Sequence, residues 1–220
     1  MRYNEGKIRF NRGRVGAELS QSALGAFANP NQSNFADGKP AQFPKGVVKQ
    51  METQFPVYRY QTLVIGSGCA GFNAADWLWA LGCHDVAILT EGLNMGTSRN
   101  TGSDKQTYYK LSLAGEDADS VMEMAKTYRE GGMNGDLALA EAAGSTKAFY
   151  KLVNLGVPFP CNEYGEYVGY KTDHDPRQRA TSAGPLTSKY MTQCLQRAVE
   201  KKEIPIFDGM QAVQLVTTGG

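Results

Sequence analysis

The stretch from Tyr60 to Glu91, YQTLVIGSGCAGFNAADWLWALGCHDVAILTE, constrains this chain more than any other. Thr62 to Ile65 is a short apolar run that stops at a glycine, the pattern of a buried strand in a parallel sheet. Gly66-Ser67-Gly68-Cys69-Ala70-Gly71 follows, a complete G-x-G-x-x-G. Ala70, Ala74, Ala75, Leu78 and Leu81 then recur at helical spacing, and Gly82 ends the helix. Val86 to Leu89 reads as a second buried strand, and Glu91 stands at its end, 20 residues after Gly71.

Each part of this unit has a mechanical job. Gly66 permits the tight strand-to-helix turn, Gly68 lets the backbone approach a pyrophosphate, and Gly71 lets the helix pack closely on the strands. The helix N-terminus offers unpaired N–H groups and a partial positive charge to phosphates. Glu91 is placed to accept hydrogen bonds from a ribose diol. A glycine-rich turn alone is weak evidence. The strand before it, the helix after it and the acid at this distance make a dinucleotide site the reading to test against a βαβ unit that binds nothing. Which dinucleotide it takes is open at this point.

The other residues bound the function by exclusion. A net charge of +1 argues against a dedicated nucleic-acid or membrane surface. No apolar run is long enough to span a bilayer, and the basic N-terminus lacks the apolar segment of a signal peptide. Cys69, Cys83, Cys161 and Cys194 are scattered without a C-x-x-C, which suits a reduced, cytoplasmic setting and predicts no metal site. Cys69 reads as a packing residue in the glycine motif, and His84 as a solvated turn residue.

Along the chain, residues 1–56 are an arm or extension, and 57–220 are the domain proper. In the arm, 16–27 is a candidate short helix and 29–46 a loop. Residues 92–109, GLNMGTSRNTGSDKQTYY, form a long polar loop after the second strand. Ligands sit at the C-terminal ends of such strands, so a ligand-facing loop competes with a solvated one. Helices are expected over 117–130 and 135–155, with Met122, Met124, Ala125 and Tyr128 inward on the first and Leu139, Ala143, Phe149 and Leu152 on the second. Gly156 and Pro158 stop the second. Residues 162–175 read as a hairpin or loop, locally basic through Lys171, Arg177 and Arg179. A helix from Pro185 to about 201 and strands at 204–208 and 211–217 close the sequence.

In this order, and with Gly156-Val157-Pro158-Phe159 at this distance from the glycine motif, residues 58–220 resemble the N-terminal half of the flavoprotein of fumarate reductase, succinate dehydrogenase and L-aspartate oxidase. The resemblance implies an α/β, Rossmann-like FAD-binding domain, incomplete at its C-terminus. It gives the pyrophosphate to Gly66, Ser67, Gly68, Ala70 and Gly71, and the adenosine ribose to Glu91. It sets Ser98, Arg99, Asn100, Thr101, Gly102 and Ser103 beside the ribityl chain and flavin ring, and the backbone of Ala212 near the adenine. Phe159 matches a phenylalanine bordering the dicarboxylate site, against the alternative of an ordinary core aromatic.

Two departures carry consequences. Respiratory members of this family bond a histidine covalently to the flavin. Asn100 stands there instead, so the resemblance implies non-covalent FAD and no membrane respiratory complex. The family's substrate-clamping arginines and histidines belong to a later domain. The catalytic acid is therefore unassigned here, and a small carboxylate substrate would meet a complete enzyme whose other half comes from a missing C-terminal part or a partner chain. Arg99 and Arg177 are loose candidates for binding carboxylates. Two other readings stay open: an NAD-dependent dehydrogenase, and a non-catalytic dinucleotide-binding subunit of a complex.

Overall fold

The computed structural model describes residues 7–10, 46–50, 53–103, 106–112, 114, 118–173 and 175–216. The expected helix at 16–27 and nearly all of the loop at 29–46 lie outside them. The chain divides into two compact units, Met1–Met95 with Val199–Gly220, and Gly96–Ala198.

The first unit is built on the stretch that opened the sequence reading. Strand β4 (Thr62–Ile65) and strand β5 (Val86–Leu89) pair in parallel, with Thr62 opposite Val86 and Ile65 opposite Leu89. Helix α1 (Cys69–Ala80) makes the crossover. Strand β9 (Ile206–Phe207) adds in parallel on the far side of β5, giving the order β4-β5-β9. β5 is buried throughout, as its unbroken apolar run requires. β4 is an edge strand among the described residues, and Ile65 is 58% exposed. The N-terminal strands β1 (Lys7–Phe10), β2 (Gly46–Gln50) and β3 (Thr53–Val57) also belong here. β2 and β3 form a hairpin, and β1 pairs antiparallel with β10 (Ala212–Val216) of the same chain.

The inward face of α1 differs from expectation. Phe72, Ala75 and Asp76 are buried, whereas Ala70 and Ala74 are exposed and Leu81 is 76% exposed. Asp76 is tolerated inside because the Lys202 ammonium pairs with its carboxylate. The helix ends where expected. Gly82 takes φ 93°, and the Cys83 N–H reaches the Leu78 carbonyl at 2.9 Å, which closes a Schellman cap.

The second unit packs a helical hairpin beside a small sheet. It starts with one turn, α2 (Thr97–Asn100), and strand β6 (Tyr108–Tyr109), both inside the expected loop. Helix α3 (Val121–Glu130) begins four residues later than expected, because Ser120 is its N-cap and accepts from the Glu123 N–H at 3.1 Å. Helix α4 (Gly135–Asn154) is capped by Asn134, whose side-chain oxygen accepts from the N–H groups of Asp136 and Leu137. Gly156 ends it at φ 92°, with the Val157 N–H on the Leu152 carbonyl.

The contact between these helices corrects the inward-facing assignment. Ala138, Ala142, Ser145, Phe149 and Leu152 are buried, one position off the expected stripe at its start, while Leu139 is 44% exposed and Ala143 is exposed. Met122 is 68% exposed, and only Met124 and Ala125 of α3 are fully inside. Alanines at the crossing let Met124 lie directly on α4, so size complementarity overrides the larger leucine. Strands β7 (Tyr170–Thr172) and β8 (Asp175–Thr181) complete the sheet in the order β6-β8-β7, and helix α5 (Thr187–Glu200) follows.

Candidate functional site

In the first unit the glycine turn is held from two sides. The Gly66 N–H donates to the Leu89 carbonyl at 2.7 Å, so the turn starts at the C-terminal edge of the parallel pair. Gly66 takes φ 107°, which L residues rarely adopt. Gly71 is required for a different reason. A Cβ there would lie 2.0 Å from the Gly66 carbonyl oxygen, so the first turn of α1 closes directly onto the glycine loop. Gly68 is the N-cap, with φ −78° and ψ −179°, a conformation any residue adopts. Its own backbone geometry therefore does not call for glycine, but the approach of a bulky group would.

The N-terminus of α1 has no side-chain cap and no acid in its first turn. Those N–H groups and the helix dipole suit an anion. Ser67 is buried, and its hydroxyl lies 2.8 Å from Thr90 Oγ1, so its side chain braces the turn against the end of β5. Ala70 is exposed in the first helical turn.

Glu91 follows Thr90 on the same edge. Its side chain is exposed and takes no hydrogen-bond partner among the described residues. The backbone beyond it is pinned by Asp208, whose Oδ1 accepts from the Leu93 N–H at 2.7 Å and the Gly209 N–H at 2.9 Å. Sequence reasoning missed Thr90 and Asp208, whose roles here are tertiary: one braces Ser67 and the other pins the backbone at Leu93. An uncapped helix start, a turn closed by glycine contacts and a partnerless carboxylate at the strand end fit a diphosphate joined to a ribose diol. Glu91→Ala should lower dinucleotide affinity about tenfold or more, the worth of a hydrogen bond to a charged group. The unfolding midpoint should not change, because the side chain is exposed. Fluorescence titration and thermal melts check both halves.

Ala212 opens β10 and pairs with Phe10 after a bulge, and among the described residues β10 has a partner on that one edge.

In the second unit, residues 96–103 form a separate polar segment. Gly96 takes φ 92° before the single turn of α2. Asn100 donates from its amide to the Gly96 carbonyl at 3.0 Å, and Thr101 donates from its hydroxyl to the Thr97 carbonyl at 2.7 Å. Arg99 holds Gln196 through one guanidinium nitrogen, while its Nε is buried without a partner among the described residues. Gly102 is tight against Pro185, where a Cβ would meet the carbonyl oxygen at 3.2 Å. Ser98, Thr101 and Ser103 sit on the same short segment.

Phe159 is 6% exposed and packs 4.9 Å from the Phe149 ring and 5.8 Å from Tyr108. The same cluster buries Lys110, whose ammonium donates to the Tyr167 carbonyl at 3.1 Å and lies 5.1 Å from the Phe149 ring centre. Burial pushes that ammonium below the ordinary lysine range. Burial also pushes the Tyr108 phenol up to about 12, helped by the Glu141 charge.

The two arginines of the expected basic loop part ways. Arg177 is partly exposed on β8, whereas Arg179 is 1% exposed. The Arg179 guanidinium donates to both Asp119 oxygens, at 2.6 and 2.8 Å, and to Asp175 and Thr127 at 3.0 Å. It is an internal clamp, and of the two expected forms of this region the hairpin is the one found at its end, where β7 and β8 pair antiparallel.

Comparison with known proteins agrees with this geometry. The profile of the FAD binding domain family matches residues 61–220. No curated protein matches the sequence. Among solved structures, Mycobacterium smegmatis Sdh1 in complex with UQ1 superposes with a TM-score of 0.60 at 20% identity, covering 68% of this chain and 27% of that one. A variant of the E. coli quinol fumarate reductase FrdA gives 0.57 at 18% identity, covering 69% and 26%. The open conformation of a flavocytochrome c3 fumarate reductase gives 0.57 at 19% identity, covering 72% and 28%. At these identities the likeness is one of fold, and this chain spans little more than a quarter of each of those proteins. The dinucleotide that the sequence left open is thus FAD, and the chain belongs to the FAD binding domain family.

Proposed function

We propose that this chain is the FAD-holding part of an oxidoreductase of the fumarate reductase and succinate dehydrogenase kind. The observation that carries the proposal is the uncapped start of α1, closed onto Gly66 by Gly71, with Glu91 presented beside it. When bound, FAD supplies a flavin able to accept or donate hydride. The glycine turn and the α1 N–H groups bind the diphosphate. Glu91 orients the ribose, and the backbone at Ala212 borders the adenine. Ser98 to Ser103 face the ribityl chain and flavin. Phe159 presents at most a small part of its ring to a substrate.

In the complete enzyme, that flavin chemistry would serve a substrate of the unsaturated carboxylate class. No residue named here is given the role of clamping the substrate or delivering its proton. None of the described helices is long and apolar enough to cross a membrane, which is a property of those helices alone.

Asn100 makes the cofactor non-covalent, since an amide has no nucleophile to offer the flavin ring. The test is acid precipitation of FAD-loaded protein. Yellow colour in the supernatant is the expected result, and colour held in the pellet refutes the Asn100 argument. Retention of NAD in place of FAD refutes the proposal as a whole.

A further inference from the structure

A segment of glycine, serine, threonine, asparagine and one arginine, with one helical turn, has little packing of its own to hold it. Residues 97–103 are nevertheless tied down, by Arg99 on Gln196, by the Gln106 N–H on the Ser103 carbonyl at 3.0 Å, and by the Gln106 side chain, which bridges Thr101 to Ser188. The Gln106 side-chain nitrogen donates to Ser188 Oγ at 2.8 Å and to Thr101 Oγ1 at 3.4 Å. Its side-chain oxygen accepts from the Ser188 N–H at 3.1 Å. Ser188 lies in the first turn of α5, so this bond also satisfies one of the N–H groups a helix start leaves open. A neighbouring tie joins the Ser103 N–H to the Pro185 carbonyl at 3.1 Å.

The polarity of the bonds selects the residue. The Thr101 hydroxyl proton is committed to the Thr97 carbonyl, so only a donor can bond the Thr101 oxygen. The Ser188 N–H needs an acceptor. A primary amide supplies both at once. A carboxylate serves the Ser188 N–H but has nothing to give Thr101, and alanine serves neither. The result is a chain of hydrogen bonds from α5 through Gln106 and Thr101 to the carbonyl of Thr97.

We infer that Gln106 is a positioning residue: it holds residues 97–103 against the first turn of α5 and thereby sets how that segment meets the flavin. The second half rests on the proposed flavin-facing role of Ser98 to Ser103; the first does not.

Hydrogen–deuterium exchange of the full chain, with and without FAD, tests both. Without FAD, Gln106→Ala should speed exchange in 97–103 about five- to tenfold, the worth of one hydrogen bond. Gln106→Glu should do the same there while leaving the Ser188 amide protected. Peptides from α1, α3 and α4 should be unchanged in both variants. Unchanged exchange in 97–103 overturns the clamp, and faster exchange throughout α3 and α4 reduces Gln106 to a general structural residue. With FAD, the parent chain should gain protection at 66–71 and 97–103, and the variants should keep the first and lose the second. Protection at 66–71 alone in the parent chain overturns the flavin-facing half and leaves FAD binding intact. Protection at neither overturns the proposed function together with that half.

Discussion

Gly71→Ala is expected to be the most damaging single methyl addition in the first unit. The new Cβ would lie 2.0 Å from the Gly66 carbonyl oxygen and 2.9 Å from its carbonyl carbon. Backbone, unlike a side-chain tip, cannot swing aside, so the glycine turn or the start of α1 must move. The expected cost is about 3 kcal/mol, the upper part of the range for overpacking. FAD affinity should fall at least a hundredfold, because the N–H groups that would meet the diphosphate lie on the displaced turn. Gly66→Ala is the informative comparison. Open space surrounds that position, so only strain at φ 107° opposes the methyl, about 1–3 kcal/mol. Denaturant unfolding and FAD titration of the two variants should rank Gly71→Ala as the worse in both. Equal effects would show that close approach is not what demands the glycine.

Arg179→Leu is expected to be as severe in the second unit. It leaves the Asp119 and Asp175 carboxylates inside the protein without their cation, with side chains 1% and 3% exposed. Stranding one side of a buried ion pair costs about 3–5 kcal/mol. The pH dependence should also change sign. In the parent chain, burial pushes the Asp119 carboxyl up, but hydrogen bonds from Arg179, Ser112 and Ser120 and the arginine charge outweigh it and leave it below the usual aspartate range. A depressed folded value gives stability that is present above the unfolded value of about 3.9 and is lost as pH falls through the lower folded one. The parent chain should therefore lose stability on acidification below about pH 4. In Arg179→Leu, Asp119 keeps the burial and loses the cation, so its carboxyl rises and protonation relieves the stranded charge. Urea midpoints of both proteins from pH 3 to 7 check this, and parallel loss in the two would contradict it.

These two sites differ in how legible they were. The βαβ unit was readable because each of its signals is local: an apolar run, a glycine spacing, an acid at a set distance. The caps at Gly82 and Gly156 were readable for the same reason, since a glycine in the last turn acts on its own backbone. β8 was not, because DPRQRAT has no apolar alternation. Its buried positions include Asp175, Arg179 and Thr181, and Arg179 is acceptable inside because Asp119 and Thr127, more than fifty residues away, and Asp175 on the same strand meet its guanidinium. The α4 stripe slipped by one position for a similar reason. Whether Leu139 or Ala138 faces inward depends on the closeness of α3, which no window of α4 records. Gln106 reads as one more polar loop residue until Ser188 is seen beside it. In the candidate site, the glycines and Glu91 were visible, while Thr90 and Asp208, which brace Ser67 and Leu93 beside them, were not.

The central claim is that the turn from Gly66 to Gly71 exists to receive a diphosphate of FAD, and Gly68 isolates it. At φ −78° and ψ −179° a valine meets no backbone strain, so Gly68→Val places a branched side chain where the diphosphate approaches, and the thermal midpoint reports whether the turn itself tolerates it. The measurement is FAD titration of the parent chain and Gly68→Val, alongside their thermal midpoints. The expected result is FAD binding by the parent, at least a tenfold loss in the variant, and midpoints that agree. Equal FAD affinity in the two proteins would contradict the claim.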